Sequence, residues 1–185
     1  MPSFEQLTID TPRLHLRPLC LDDADAILRI RSNPDVMRYM PSAPWTELAQ
    51  ATAMVERDKA AMLKGDFVRL GLIRKTDNFF LGSCILFHLD DGCRRAEIGY
   101  EMDAAVWGQG YMQEALVALL NYGFNEMNLN RVEADIVPHN LGSAKTLERL
   151  GFIREGLLRE RWIVEGNVSD SAIYGLLRSD WAKRA

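Results

Sequence analysis

The chain has 185 residues, 48% of them apolar and 26% charged, which suits one domain spanning residues 1–185 around a substantial core and excludes a disordered chain. A formal net charge of -4 and a pI near 5.4 argue against a surface made for phosphate backbones, so nucleic acid is not an expected partner. The start MPSFEQLTID lacks a basic segment followed by an apolar one, and nowhere do about eighteen apolar residues run unbroken, so a cytoplasmic protein outside the membrane is expected.

Arg13 to Leu19 alternates, with Leu14 and Leu16 on one face and His15 and Arg17 on the other, which predicts a strand. Asp22 and Asp23 supply negative charge at a helix start, and Ala24, Ile27, Leu28 and Arg31 continue that helix until Asn33-Pro34 interrupts it. Thr46 can cap a second helix that runs to Lys64 and ends at Gly65. Three strands follow, 67–74, 79–89 and 95–102, joined by the short turn-rich segments KTDN and DDG, and so predicted to form an antiparallel meander. Next, Leu116, Leu119, Leu120, Gly123 and Phe124 recur at helical spacing and predict one buried helix face. A strand at 131–137, a short helix at 143–150 closed by Gly151, and strands at 152–158 and 171–177 complete the order βααβββαβαββ. Helices interspersed among antiparallel strands predict a mixed α/β layered fold.

Between the meander and the long helix lies WGQGYMQEAL. A helix N-terminus carries unpaired N–H groups and partial positive charge, and bare backbone before it lets an anion approach closely, so Gly108 and Gly110 suit a phosphate. They equally suit a tight strand-to-helix turn without a ligand. A dinucleotide fingerprint is excluded because Gln113 stands where the third glycine belongs, and no Gly-Lys-Ser/Thr follows for a P-loop.

The combination of AEIGYEM, WGQGYMQEAL and HNLGSAKTLERLGF, together with TPRLHLRPL, SNPDVMRYM and SAIYGLL, resembles the GNAT superfamily of acetyl-CoA-dependent N-acetyltransferases, and within it the branch of ribosomal-protein N-terminal acetyltransferases. The resemblance covers most of the chain in the same element order. It implies a central, mostly antiparallel, splayed sheet flanked by helices, with acetyl-CoA as co-substrate. By that resemblance the backbone of Val106, Trp107, Gly108, Gln109, Gly110, Tyr111, Met112 and Gln113 carries the pyrophosphate. The pantetheine arm lies between splayed strands, beside Ile98, Tyr100 and Met102 on one side and residues 131–137 on the other, where an amide-bearing arm can pair with an open strand edge. Two positions depart from the superfamily pattern: Trp107 replaces Gln or Arg, and Met112 replaces a small residue.

Acetyl transfer to an amine needs a neutral amine, a stabilised oxyanion and a proton for the leaving thiolate. Glu97, in the strand beside the cofactor slot, is the leading base; its plainer reading is a strand carboxylate paired with Arg94 or Arg95. Asn140 is a natural helix cap with Ser143 in the first turn; the resemblance adds Asn140 contacting the cofactor arm and Ser143 approaching the sulfur as a proton donor. Tyr100 and Tyr111 are competing donors or packing aromatics. Cys84 and His88 share one strand face but are too extended for a nucleophile pair. Cys20, Cys84 and Cys93 have no C-x-x-C spacing, and His15, His88 and His139 no H-x-x-x-H spacing, so neither disulfides nor a metal is expected. The PSAPWTE loop containing Trp45 shapes the acceptor pocket by resemblance or seals a helix junction, and Tyr174 is placed near the substrate end.

These readings imply an enzyme that acetylates a primary amine by direct attack in a ternary complex, with the N-terminal amine of a ribosomal protein as the leading acceptor. Small amines (an aminoglycoside, a polyamine or an amino acid) are the alternative acceptors. A non-catalytic acyl-CoA-binding module is the alternative of another class, and a homodimer is implied by family analogy alone.

Overall fold

A computed structural model describes residues 3–184. Its centre is a meander of β3 (Val68–Arg74), β4 (Phe80–Asp90) and β5 (Arg95–Met102), antiparallel as the short turns demand. Because side chains alternate across a strand, Val68, Leu70 and Leu72, Cys84 and Leu86, and Ala96, Ile98 and Met102 share one face and enter the main apolar core. The opposite face carries Arg69, Ser83, Ile85, Phe87, Glu97, Gly99 and Glu101. Helices cover both faces, which is why β3 and most of β4 are buried rather than half-wetted.

The core face is covered by α4 (Tyr111–Asn125), whose Leu116, Leu119, Leu120, Gly123 and Phe124 are all buried, as their spacing predicts. This helix crosses over to β6 (Arg131–Ile136), which lies parallel to β5. Helix α5 (Leu141–Arg149) adds buried Leu147 to the same core. On the other face, α1 (Ala24–Arg31) and α3 (Leu48–Lys64) bring Ile27, Ile30, Met54 and Val55 against Ile73 and Phe80 in a second apolar cluster. The sheet has eight strands once β1 (Ile9–Asp10), β2 (Leu14–Arg17), β7 (Ile153–Val164) and β8 (Asn167–Leu177) are included, in the order β1-β2-β3-β4-β5-β6-β8-β7. All observed pairings are antiparallel except β5 with β6.

Several local expectations change. The element order gains β1, a one-turn α2 (Pro34–Met37) and α6 (Arg178–Trp181). Asn33-Pro34 does not merely break the preceding helix: Asn33 accepts a hydrogen bond from Asp35 N–H at 2.9 Å, and Pro34, which needs no N–H partner, opens α2. Glu47, not Thr46, precedes α3, and Gln50 Oε1 accepts the N–H groups of both Thr46 and Glu47 at 3.0 Å. The last two strands are far longer than the alternation in residues 152–158 and 171–177 implies. They form one hairpin turned at Glu165-Gly166, and β7 is exposed along almost its whole length, so no buried-face periodicity marks its extent. Register shifts near Gly156 and between Leu158 and Trp162 bend this edge strand, and such bends discourage pairing with another chain.

Candidate active site

The WGQG turn has the geometry its glycines require. Gly108 and Gly110 adopt φ values of 74° and 77°, a left-handed conformation that costs other L-residues roughly 1–2 kcal/mol. A side chain on Gly108 would meet nothing within 4 Å, so its bareness serves backbone shape and access rather than core packing. The first bond of α4 runs from Glu114 N–H to the Gly110 carbonyl at 3.1 Å, leaving the preceding N–H groups of Tyr111, Met112 and Gln113 without intrahelical acceptors and able to receive an anion. Arg13 braces the turn: it donates to the Gln109 carbonyl at 3.0 Å and to Glu114 at 2.5 Å, and lies over the Tyr111 ring at 4.4 Å. Trp107 is half-exposed, and its indole N–H donates to the Met102 carbonyl at 2.9 Å. Val106 and Met102 are buried in the core, so only their backbones are available to a ligand.

Strands β5 and β6 pair only through Arg95–Arg131, Ala96–Val132 and Glu97–Glu133. Beyond that, β5 stays bonded to β4 as far as Met102, and β6 to β8 as far as Ile136. The two strands therefore part from Ile98 and Ala134 onward, and a cleft of about 720 Å³ opens there. Its lining includes Glu97, Ile98, Tyr100, Asn140 and Ser143, so the proposed base, donors and cofactor-arm residues converge on one space. Asn140 caps α5 by accepting the Ser143 N–H at 3.1 Å, and Tyr100 donates its hydroxyl to the Ser143 carbonyl at 3.3 Å, linking β5 to α5 across the gap. Burial pushes the Tyr100 phenol up to about 12, with the Ser143 contact opposing and the neighbouring Tyr174 reinforcing that rise.

Glu97 and Tyr100 are three residues apart and so leave opposite faces of β5. Glu97 is partly exposed and pairs with His88 Nδ1 at 3.1 Å, not with Arg94 or Arg95; Arg95 is engaged by Glu133 at 2.9 Å. His88 reaches Glu97 because its φ of 49° and the adjacent register shift turn it off the face on which simple alternation places it with Cys84. Cys84 is fully buried, and burial pushes its thiol up to about 12, so no Cys84–His88 nucleophile pair exists.

Other elements complete the cleft. Residues Met40 to Pro44 line it, while Trp45 turns into the helix junction, stacked under Arg31 at 4.5 Å. From the β7–β8 hairpin, Arg161 and the indole of Trp162 hold Asp135 of β6 at 3.3 and 3.4 Å. Tyr174 is buried in the core beside Tyr100, and His139 is exposed. Sequence reasoning misses Arg31, whose guanidinium contacts buried Glu101 at 2.9 Å, because 70 residues separate the partners and no local spacing marks them. Among the described residues no group of three or more His, Cys, Asp and Glu side chains is placed to hold a metal, and no helix is long and apolar enough to cross a membrane.

Comparison with known proteins places this geometry. The acetyltransferase (GNAT) domain family matches residues 13–153. The uncharacterized N-acetyltransferase p20 of Bacillus licheniformis is 38% identical over 175 residues, covering 95% of this chain and 98% of that protein. The [ribosomal protein uS5]-alanine N-acetyltransferase of Escherichia coli is 33% identical over 84 residues, which cover 45% of this chain and 43% of that protein. Among solved structures, Mycobacterium smegmatis RimJ in complex with CoA-disulfide superposes with a TM-score of 0.86 at 25% identity, covering 96% of this chain and 90% of that one.

Proposed function

Because the chain belongs to the GNAT acetyltransferases and is thus an acetyl-CoA-dependent N-acetyltransferase, we propose that its acceptor is the N-terminal amine of a polypeptide and that Glu97, Tyr100 and Ser143 carry the chemistry. One observation carries the assignment: where β5 parts from β6, alternation along β5 sets Glu97 on one face and Tyr100, bonded to Ser143, on the other, and all three line one cleft. The acceptor reading is supported by the cleft's position between residues 40–44 and the β7–β8 hairpin, which suits an extended chain end, and by the partial similarity to an enzyme named for acetylating a ribosomal-protein alanine.

The residues fit acetyl-CoA. The splayed edge can pair with an amide-bearing arm, and the left-handed glycines with the free N–H groups of α4 suit a pyrophosphate. Acetyl-CoA, when bound, supplies an acetyl group activated as a thioester. Glu97 takes the proton from the attacking amine, directly or through water. The Ser143 hydroxyl stands on the opposite face as donor to the departing sulfur; the Tyr100 phenol, protonated throughout the neutral range with its pKa raised to about 12, becomes a second donor when its one O–H turns from the Ser143 carbonyl. Asn140 fixes the start of α5 and hence the position of Ser143.

Release of free CoA thiol, followed with peptides bearing free N-termini and with small amines, and product mass for each, tests this reading. Acetylation on a peptide α-amine is the expected result; product on small amines alone would replace the acceptor, and acetyl-CoA binding without any product would remove the catalytic assignment.

A further inference from the structure

The floor of the cleft carries an arginine whose donors are largely unused. Arg69 on β3 lies opposite Ile85 of β4, which in turn lies opposite Gly99 of β5, so the three form one row on the face that bears Glu97. The Arg69 side chain is 14% exposed and lines the cleft. Its Nε stands 2.7 Å from Asp58 Oδ2, and its one hydrogen bond among the described residues is a long contact from Nη1 to Ser83 Oγ, at 3.5 Å. A guanidinium has five N–H donors; among the described residues Nε is the buried nitrogen of Arg69 without a hydrogen-bond partner, and it faces the Asp58 carboxylate.

Charge around it does not balance either. Asp58 is shared between Arg69 and Arg57, and Glu101 is taken by Arg31, so three guanidiniums surround two carboxylates. Arg57 is 66% exposed, whereas Arg69 is 14% exposed and meets solvent at the wall of the cleft. Farther out, Arg38 also lines the cleft, stacked 5.6 Å from the Tyr39 ring. Among the described residues four carboxylates line the cleft: Glu101 is taken by Arg31, Asp135 by Arg161 and Trp162, and Glu97 by His88, while Glu165 is exposed at the hairpin turn. A polycation would find few free partners here, whereas an anion would find one ready. Ile85 of β4 separates Arg69 from β5, where Gly99, two residues from Glu97, adds no side chain to the floor; a Cβ there would lie 3.1 Å from Ile85 and 3.5 Å from Phe87.

We infer that the acceptor carries a carboxylate a few bonds from its reacting amine, and that Arg69 receives that carboxylate over the Ile85–Gly99 row of the floor. The inference rests on the acetyltransferase reading above and makes the acceptor an acidic one: a peptide with Asp or Glu next to its N-terminus or, in place of a polypeptide, a free amino acid.

The test compares matched acceptors in the wild-type protein: peptides with Asp against Asn at the second position, and free amino acids against their amides. At least about tenfold higher kcat/KM for the carboxylate member, carried mainly in KM, is expected; the pair that shows it names the source of the carboxylate. Equal values, or a preference for amides or for polyamines, would overturn the inference while leaving acetyl transfer standing. No transfer to any amine would instead remove the function on which it rests. The double variant Arg69→Gln with Asp58→Asn, which avoids stranding a buried carboxylate, is expected to collapse the ratio towards one; a ratio unchanged in a folded double variant would also overturn it. Because the wild-type comparison needs no substitution, a variant that fails to fold leaves the test intact.

Discussion

On one face of β5, Ala96, Ile98, Tyr100 and Met102 lie against α4 and α5 within the main apolar core; on the other, Glu97, Gly99 and Glu101 lie beside Ser83, Arg69 and Arg31. The first face is held by burial of apolar surface, which is non-directional and tolerant of local rearrangement. The second is held by charge pairs that work only with both partners present, since a buried charge left alone carries a large desolvation cost. The same strand thus has a neutral, water-excluding side and a polar, partly wet side, which the proposed roles assign to the cofactor sulfur and to the amine respectively. Acetyl transfer uses that asymmetry: the base must reach a proton that solvent can carry away, while the donors to the thiolate must still hold a proton to give when the sulfur departs.

Substitutions that affect one face and spare the other would test this contrast. The largest effect is expected from Glu97→Gln, which removes a base but no core contact: kcat should fall by about 10²–10⁴-fold with little change in thermal stability. Loss of stability in parallel with activity would show Glu97 to be a structural member of its face. Glu101→Ala should do the reverse, stranding Arg31 and lowering unfolding free energy by about 3–5 kcal/mol in denaturant titrations; a change of only a few tenths would mean that water screens the pair.

A smaller effect is expected on the apolar face. Tyr100 titrates near 12 when folded against 10.0 as a model phenol, and Cys84 near 12 against 9.0. Between those values the unfolded chain releases protons that the folded chain retains, so stability is fully present below about pH 9 and declines as pH rises above it. Denaturant midpoints at about pH 8 and about pH 10.5 measure the decline, and Tyr100→Phe should flatten its upper part.

How much of this was legible in the sequence depended on how locally each feature is encoded. The meander could be read because Val68, Leu70 and Leu72 alternate between short turns, and α4 because Leu116, Leu119 and Leu120 recur at helical spacing. Asn140 could be read as a cap from its place before α5. The β7–β8 hairpin is longer than the alternation in residues 152–158 and 171–177 marks, since an exposed strand needs no apolar alternation along its length. Glu97 could be nominated only by resemblance, because one carboxylate in a strand has no local mark of function.

What the sequence by itself determined, then, was the set of elements and the conformations that single residues impose: strand faces from period-two burial, helix faces from period 3.6, and the left-handed turn at Gly108 and Gly110. The tertiary structure alone decided which charges meet. Arg31 finds Glu101, Arg69 finds Asp58, and His88 finds Glu97 only after strand register and a backbone kink have set their positions. The reason is physical: hydrophobic periodicity is a property of neighbours in the chain, whereas an ion pair depends on a distance between elements that no local pattern specifies.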